Sequence, residues 1–402
     1  MGLNDTPSGE RIHIGFFGMC NSGKSSLINR ITSQQVSLVS DISGTTTDPV
    51  KKAMELLPLG PVVFIDTPGF DDTGALGSLR VKRTKETLDL CDASVLVTEN
   101  DSLNRDETEL LDLIKKRNIP YFIVRNKTDL GIPDPDNNKD SDMFRVSALT
   151  GDGIEELKEK IASSLSGSVK QIRYIADLID PGDTVVLVIP IDTSAPKGRL
   201  ILPQQLALRD ILDADAVSVV TGVERLPETL DKLKRKPALV ITDSQVFSRV
   251  MKLVPEDIPL TSFSILMARY KGFLDTALKG AMAIDNLKDG ASVLISEGCT
   301  HHRQCGDIGT VKLPAWLNKY TGKKLNFSYT QGHGFPDDIS SYDLIIHCGG
   351  CMLNDAEMHN RMDKAVNARI PFTNYGIAIA RMNGILDRCS APLIRCTAKD
   401  PN

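Results

Sequence analysis

Residues 18–25 read GMCNSGKS, and this stretch decides the fold of the first part of the chain. The spacing of its glycines, lysine and serine is typical of a phosphate-binding loop. The apolar run Ile12–Phe17 before it predicts a buried strand, and residues 26–31 after it predict a helix. Backbone N–H groups at the start of such a helix point towards phosphate oxygens, and the helix dipole adds positive potential. The stretch therefore predicts a site that binds phosphate groups.

Each position of this loop has an expected role. Gly18 and Gly23 carry no Cβ, so the backbone can wrap closely around the phosphates. The Lys24 ammonium can reach the outer phosphates, and the Ser25 hydroxyl is a suitable Mg²⁺ ligand. The residues expected to contact the nucleotide here are Asn21, Ser22, Gly23, Lys24, Ser25 and Ser26.

A second segment follows the predicted strand at residues 62–65 and reads Asp66-Thr67-Pro68-Gly69. A carboxylate at the end of that strand can reach the coordination shell of Mg²⁺. The backbone N–H of Gly69 can meet a γ-phosphate. We therefore expect this segment to act together with the phosphate loop in nucleotide hydrolysis.

Two later segments favour guanine over adenine as the base. Asn126-Lys127-Thr128-Asp129 follows a predicted strand at residues 121–124, and the Asp129 carboxylate can accept two N–H donors that guanine has and adenine lacks. Ser147 and Ala148 follow another predicted strand and provide a backbone element suited to the guanine O6. The base predicted from these segments is guanine.

These motifs, in this order and spacing, resemble those of small GTP-binding proteins of the TrmE/Era type over residues 10–167. The resemblance implies GTP or GDP and Mg²⁺ as ligands. It assigns phosphate and Mg²⁺ contacts to Lys24 and Ser25. Its remaining assignments are Asp66 and Gly69 in a switch, Asn126, Lys127 and Asp129 on guanine, and Ser147 and Ala148 behind the base.

The resemblance also implies a first switch at residues 44–48. Thr46 is the expected Mg²⁺ ligand there, with Thr45 as the alternative. Phe70 stands where Ras-like GTPases have a glutamine that orients the attacking water, so we expect slow intrinsic hydrolysis. Asn21 resembles the asparagine of bacterial GTPases that bind K⁺, which predicts stimulation by K⁺. An ordinary loop-stabilising amide is the alternative interpretation of Asn21.

Composition and charge exclude several classes of protein. The chain has 402 residues, a net charge of −5 and 41% hydrophobic residues, which indicates a globular protein of two to four domains. It contains no long run of Lys and Arg, so nucleic acid is not an expected partner. No apolar run approaches the ~20 residues of a membrane span, and no signal peptide is evident, so we expect a cytoplasmic protein. Its eight cysteines are then metal ligands or free thiols rather than disulfides.

The sequence divides into three predicted α/β domains with mainly parallel sheets. A P-loop GTP-binding domain covers residues 1–168, a middle domain 169–271, and a cluster-binding domain 272–402. In the middle domain a βαβ pattern of strands and helices carries no catalytic constellation. We expect it to form a homodimer, with Ser262–Leu266 as an edge strand that pairs across a two-fold axis. The other elements predicted there are helices at 172–179, 202–213 and 228–235 and strands at 185–191, 216–221 and 238–242.

The third domain carries a second chemical signal. A predicted strand at residues 292–298 ends in Cys299-Thr300-His301-His302, and a strand at 343–346 ends in His347-Cys348-Gly349-Gly350-Cys351. If the sheet is parallel, both strand ends meet at one crevice. The spacing Cys348-x-x-Cys351 is typical of metal ligands, and it leaves both Zn²⁺ and an iron–sulfur cluster open. A site at the mouth of an α/β sheet favours the cluster.

Over nearly its whole length the chain resembles the maturation GTPases of FeFe-hydrogenase. Cys299-x-His301 and His347-Cys348-x-x-Cys351 carry that resemblance. It implies a 4Fe-4S cluster held by Cys299, Cys348 and Cys351, with the fourth iron open or held weakly by His301, His347 or a nearby carboxylate. It also implies a scaffold that assembles or carries a transient diiron subcluster precursor, with radical-SAM maturases and apo-hydrogenase as partners. The alternative is a GTPase of ribosome or tRNA maturation whose cysteines hold structural zinc.

Overall fold

The computed structural model describes residues 8–32, 49–70, 75–131, 143–166, 173–190, 200–299 and 307–394. The chain forms two compact units, of which the first ends at Lys170 and the second begins at Gln171. The predicted ligands Thr46 and His301 lie outside the described residues, as do Thr45 and His302. Among the helices that are described, none is long and apolar enough to cross a membrane.

The first unit is built on one mainly parallel sheet. Its strands are β1 (Ile12–Phe17), β2 (Val50–Leu56), β3 (Gly60–Asp66), β4 (Ala93–Thr98), β5 (Tyr121–Arg125) and β6 (Met143–Arg145). The order across the sheet is β2-β3-β1-β4-β5-β6, and β2 alone runs antiparallel among these strands. The helices are α1 (Lys24–Thr32), α2 (Ala75–Leu88), α3 (Arg105–Lys116) and α4 (Ile154–Ser166).

The central strands of this sheet are almost continuous apolar runs because helices cover both faces. Every residue of β4 is buried, and the rings of Phe16 and Phe64 meet edge to face with centroids 5.4 Å apart. Helix α3 begins at a capping box, in which Asn104 and Glu107 each accept the backbone N–H of the other. The P-loop α/β fold predicted for this part of the chain is confirmed.

The second unit begins with a parallel sheet of four described strands. They are β7 (Thr184–Val188), β8 (Val217–Thr221), β9 (Leu239–Thr242) and β10 (Leu260–Ser262), in the order β10-β9-β7-β8. The helices of this middle part are α5 (Leu202–Asp213), α6 (Leu226–Lys232), α7 (Phe247–Leu253) and α8 (Phe263–Tyr270). The strands and helices predicted between residues 184 and 242 are confirmed to within a few residues, and α5 has the predicted bounds.

The rest of this unit is a second parallel sheet that shares one apolar core with the first. Its described strands are β11 (Ser292–Glu297), β12 (Asn326–Gln331), β13 (Leu344–His347) and β14 (Phe372–Asn374), in the order β12-β11-β13-β14. The helices are α9 (Leu274–Ala281), α10 (Leu313–Thr321), α11 (Asp355–Asn367), α12 (Tyr375–Met382) and α13 (Leu386–Ile394), and Ile308–Lys312 forms a π-helical turn before α10.

Two predictions for the middle part are wrong. The edge strand expected at Ser262–Leu266 ends at Ser262, and helix α8 begins at Phe263. The Ser262 hydroxyl accepts the N–H of Ile265 at 3.2 Å, so this serine caps a helix instead of extending a strand. The helix expected from residue 172 to 179 is a short 3-10 turn at Ala176–Leu178.

The two sheets of the second unit have the same strand order. In each, the second strand along the chain lies outside the first, and the third and fourth lie on the other side. The carboxyl ends of the first and third strands therefore lie side by side where the winding reverses. The crevice outside the strand ends at such a reversal is where α/β sheets normally bind ligands.

Candidate functional site

The phosphate loop joins β1 to α1 and depends on two glycines in left-handed or related conformations. Gly18 has φ +147° and Gly23 has φ +84°. A Cβ at Gly18 would lie 2.2 Å from the carbonyl oxygen of Val97, and one at Gly23 would lie 2.2 Å from Asn126 Nδ2. Any side chain at either position would therefore push this loop off the neighbouring strand ends.

Lys24 and Ser25 occupy the first turn of α1. The Lys24 ammonium is buried and donates to the carbonyl oxygens of Gly18 at 3.0 Å and Met19 at 2.7 Å. Ser25 Oγ donates to Asp66 Oδ2 at 2.5 Å, which joins the loop to the end of β3. Burial raises the pKa of Asp66, and the Ser25 hydrogen bond and the Lys24 charge oppose that rise.

Two buried polar atoms fit a bound phosphate and a cation at this loop. The hydroxyl of Ser22 and the Oδ1 atom of Asp66 have no hydrogen-bond partner among the described residues. Buried polar atoms normally have partners, and a nucleotide with Mg²⁺ would provide them. Ser26 and Asn21 are exposed beside this position, and Asn21 has φ +63°.

The segments predicted to recognise guanine lie next to the loop. Asn126 Nδ2 donates to the Ser22 carbonyl at 3.0 Å, and Asn126 Oδ1 accepts the N–H of Ala148 at 3.0 Å. Ser147 Oγ donates to Asp129 Oδ1 at 2.6 Å, and Lys127 pairs with Glu99 at 2.5 Å. Asn126 therefore ties the phosphate loop to the segment at residues 147–148.

The switch segment after β3 packs directly on the phosphate loop. A Cβ at Gly69 would lie 2.3 Å from Cys20 Sγ, and the N–H of Phe70 donates to the Gly18 carbonyl at 3.1 Å. The Phe70 ring is buried in the apolar core between the sheet and its helices. A side chain that orients the attacking water would have to face the nucleotide. Phe70 instead packs in the core.

The cysteine crevice lies at the carboxyl ends of β11 and β13, which pair in parallel with Ser296 opposite His347. Cys299 comes two residues after β11, and Cys348 comes directly after β13. The N–H groups of Gly298 and Gly350 donate to Cys348 Sγ at 3.1 and 3.4 Å. The two strand ends are thus joined through the sulfur of Cys348.

Cys299 lies close enough to the other two thiols for them to affect its pKa. Burial raises the pKa of Cys299, and the nearby Cys348 and Cys351 raise it further. Burial also raises the pKa of Cys348, against the two backbone hydrogen bonds. Within the described ranges, no group of three Cys, His, Asp or Glu side chains converges closely enough to hold a single metal ion. Soft thiol donors and N–H groups aimed at sulfur fit the chemistry of an iron–sulfur cluster.

His347 has both ring nitrogens engaged. Its Nδ1 lies 2.9 Å from the Cys348 carbonyl oxygen, and its Nε2 lies 2.9 Å from Arg361 Nη1. Burial and the Arg361 charge lower the pKa of His347 to about 3, so the ring is neutral. With Nε2 accepting from Arg361 and Nδ1 donating to the carbonyl, this conformation leaves the ring no nitrogen for iron.

Arg361 is the centre of a buried network behind the crevice. Its side chain is 3% exposed, and it donates to Glu357 Oε1 and to the Gly332 carbonyl, each at 2.5 Å. His333 lies 2.9 Å from the other oxygen of Glu357. Burial alone would raise the pKa of Glu357, but the hydrogen bonds and charges of His333 and Arg361 together lower it. A buried ion pair thus fixes His347, which in turn fixes the turn at Cys348.

Sequence reasoning missed two residues beside the crevice. Glu297 ends β11 in a buried position, and Tyr375 donates to its Oε1 at 3.0 Å. The carboxylate is close enough to raise the pKa of Cys299. The signal available was a glutamate at the end of an apolar strand, two residues before a cysteine.

Three family models match successive parts of the chain. Residues 13–127 match a 50S ribosome-binding GTPase model, 174–272 the hydrogen maturase F dimerization domain, and 275–392 the hydrogen maturase F tetramerization domain. The two maturase models together cover more than half of the 402 residues and contain the crevice. The chain belongs to the hydrogen maturase F family. The predicted resemblance to maturation GTPases is therefore confirmed, and the two domain models support oligomer formation.

The curated relatives each match less than half of the chain. The tRNA modification GTPase MnmE of Aquifex aeolicus is 30% identical over 165 residues, which are 40% of this chain and 36% of the relative. That of Maricaulis maris is 35% identical over 164 residues, 40% of this chain and 35% of the relative. The chain thus spans about a third of the length of these relatives. A crystal structure of Aquifex aeolicus Era bound to GDP and AlF4− matches 55% of this chain and 97% of its own, at 21% identity and a TM-score of 0.33.

Proposed function

We propose that this chain is a GTP hydrolase that binds a 4Fe-4S cluster and assembles or carries the diiron subcluster precursor for apo FeFe-hydrogenase. One observation carries the cluster part of this proposal. Cys348 Sγ accepts two backbone N–H groups at the joined ends of β11 and β13, with Cys299 and Cys351 near enough to shift thiol pKa values. Membership of the hydrogen maturase F family supports the maturation role.

In this proposal Cys299, Cys348 and Cys351 hold the cluster, and His301 stays a candidate for the fourth iron. The cluster would supply an iron that can accept a bridging ligand of a diiron precursor. The surrounding residues prepare the thiolates for it. N–H donors stabilise negative charge on sulfur, and the network of Arg361 and His347 fixes the cysteine turn. His347 is proposed as a positioning residue because both of its ring nitrogens are engaged.

The nucleotide part of the proposal assigns GTP and Mg²⁺ to the first unit. Lys24 and Ser25 bind the phosphates and Mg²⁺ together with Thr46, and Asp129 binds guanine. Because Phe70 is buried, no side chain at that position orients water, and hydrolysis is slow. We infer that K⁺ beside Asn21 provides the missing positive charge. Radical-SAM maturases and apo-hydrogenase are the proposed partners of a homo-oligomer that works in the cytoplasm.

The cluster is tested by anaerobic reconstitution of the full chain with iron and sulfide. We expect a brown protein with about four iron atoms per chain, and near-complete loss of iron in the variant Cys348→Ser. Cys389→Ser is the matched control, because that thiol is fully buried in helix α13 and should not affect iron content. Zinc bound with no visible absorption would instead support the GTPase of ribosome or tRNA maturation, which the similarity to MnmE favours.

Nucleotide hydrolysis is tested separately by phosphate release from GTP. We expect Lys24→Ala to abolish turnover and to leave iron binding unchanged. Turnover should be faster in KCl than in NaCl, and Asn21→Ala should remove that difference. Equal rates in the two salts with the unmodified chain would contradict the role of K⁺.

A further inference from the structure

A cavity of about 390 Å³ lies between the middle sheet and the helices of the C-terminal sheet, and none of the residues that line it belongs to either site described above. Ser244, Gln245 and Ser248 line it from the turn and helix after β9. Trp316 and Lys319 of α10 and Met382 of α12 form other parts of the wall. Its volume falls in the range of ~300–1,000 Å³ typical of small-molecule sites.

The position of this cavity matches that of the cysteine crevice in the other sheet. β9 is the third strand of the middle sheet, as β13 is the third strand of the C-terminal sheet, and the strand order is the same. The turn after β13 carries Cys348, and the turn after β9 carries Ser244. Ligands of α/β sheets bind beyond the carboxyl ends of such strands, near the point where the winding reverses.

The side chains that line the cavity favour an anion with an apolar body. The described lining contains neither aspartate nor glutamate, and the exposed Lys319 at its rim forms no ion pair within the described part of the chain. Ser244 is 9% exposed, and its hydroxyl is buried, with no hydrogen-bond partner among the described residues. The half-buried indole of Trp316 offers a flat apolar surface.

We propose that this cavity is a binding site for a small organic anion with a planar body, such as an aromatic carboxylate. Lys319 binds the anionic group, and Trp316 packs against the ring. The site belongs to the middle sheet as the cysteine crevice belongs to the C-terminal sheet. It does not depend on the proposed cluster or on GTP, because none of their residues lines it.

The single tryptophan of the chain makes the test direct. Trp316 is that tryptophan, so its fluorescence reports on this cavity alone. The full chain is titrated with benzoate and, in parallel, with benzamide, which has the same shape without the charge. We expect a saturable fluorescence change with benzoate and at least about tenfold weaker binding of benzamide. Tenfold corresponds to one lost charge contact of about 1.4 kcal/mol.

Two variants test whether the residues that line the cavity are responsible for benzoate binding. Lys319→Met keeps the aliphatic stem and should weaken benzoate binding at least about tenfold. Lys324→Met changes an exposed lysine that does not line the cavity and should have no effect. No saturable change with benzoate, or equal affinities in Lys319→Met and the unmodified chain, would overturn the proposal. Iron content and GTP turnover are not part of this measurement, so a failure here leaves the proposed function standing.

Discussion

The middle and C-terminal sheets have the same strand order but different residues at their strand ends. After β13 the chain turns through two glycines flanked by Cys348 and Cys351, and Cys348 Sγ receives two backbone N–H groups. After β9 the turn contains Asp243, whose carboxylate accepts the N–H of Gln245 at 3.1 Å. The same strand order thus places thiols at the strand ends of the C-terminal sheet and a polar cavity wall at those of the middle sheet. Function in this unit depends on a few turn residues, because the fold itself is shared.

The two sheets also differ at their edges. β14 lies at an edge of the C-terminal sheet, and helix α9 packs on it so closely that a Cβ at Gly280 would lie 2.1 Å from the Phe372 carbonyl oxygen. β8 lies at an edge of the middle sheet and exposes Val217 and Val220 by 53% and 51%. Among the described residues, helix α9 covers the edge at β14, and no further strand pairs with β8.

The largest change in stability is expected from breaking the buried ion pair between Arg361 and Glu357, which has no equivalent described in the middle sheet. Arg361→Met should lower the free energy of unfolding of the second unit by about 3–5 kcal/mol, because Glu357 would stay buried without its partner. Urea unfolding followed by Trp316 fluorescence measures this unit, since the only tryptophan lies in it.

Arg381→Met is the matched control for that measurement. Arg381 pairs with Asp285 where both side chains are about 30% exposed, so its loss should cost less than about 1 kcal/mol. If the two variants were equally stable, the buried network could not be what fixes the cysteine turn.

The sequence predicted the elements with strong local signals and missed those that depend on distant neighbours. β1 and α1 could be predicted because an apolar run, a glycine loop and an amphipathic helix follow one another. β10 and β14 have three residues each, too few to show a period, and β12 is a largely polar edge strand. The apolar residues after Ser262 predict a strand, although a serine before an apolar run is also typical of a helix cap.

The sequence predicted candidate ligands for the site but not the side chains that surround them. Cysteine spacing and strand ends predicted that Cys299 and Cys348 would approach each other, because parallel strands end at one edge. The state of His347 depends on Arg361, fourteen positions away and on another element, so no local pattern could show that both ring nitrogens are engaged. The same holds for Tyr375 and Glu297, which are joined by a hydrogen bond across the crevice.

A second, smaller effect tests the closed edge of the C-terminal sheet. Gly280→Ala should destabilise the second unit by about 1–3 kcal/mol, because the new methyl group would overlap the backbone of β14. Gly222→Ala serves as the control, since its Cβ would enter open space, and it should stay within about 0.5 kcal/mol of the unmodified chain. A neutral Gly280→Ala would mean that α9 does not close this edge. Trp316 fluorescence in urea measures both variants.

The open edge of the middle sheet is tested through the oligomer. Val220→Lys should weaken self-association about tenfold or more, because an edge lysine disfavours pairing with a second strand. Light scattering on a sizing column, over a range of protein concentrations, measures the dissociation. Leu57→Lys is the control, because Leu57 is exposed in the turn between β2 and β3 and lies outside the residues that match the dimerization and tetramerization models. Unchanged association of Val220→Lys would exclude β8 as the interface.

The smallest effects are expected at two helix caps that occupy matching positions. Ser262 ends β10 and caps α8, and Asn374 ends β14 and caps α12. Replacing either cap with alanine should cost about 1 kcal/mol. Asn374→Ala should cost more than Ser262→Ala, because the Asn374 amide also donates to the Ser264 carbonyl at 2.8 Å and so links the two halves of the unit. Urea unfolding can rank the two variants, and a larger loss in Ser262→Ala would show that this link between the sheets adds nothing to stability.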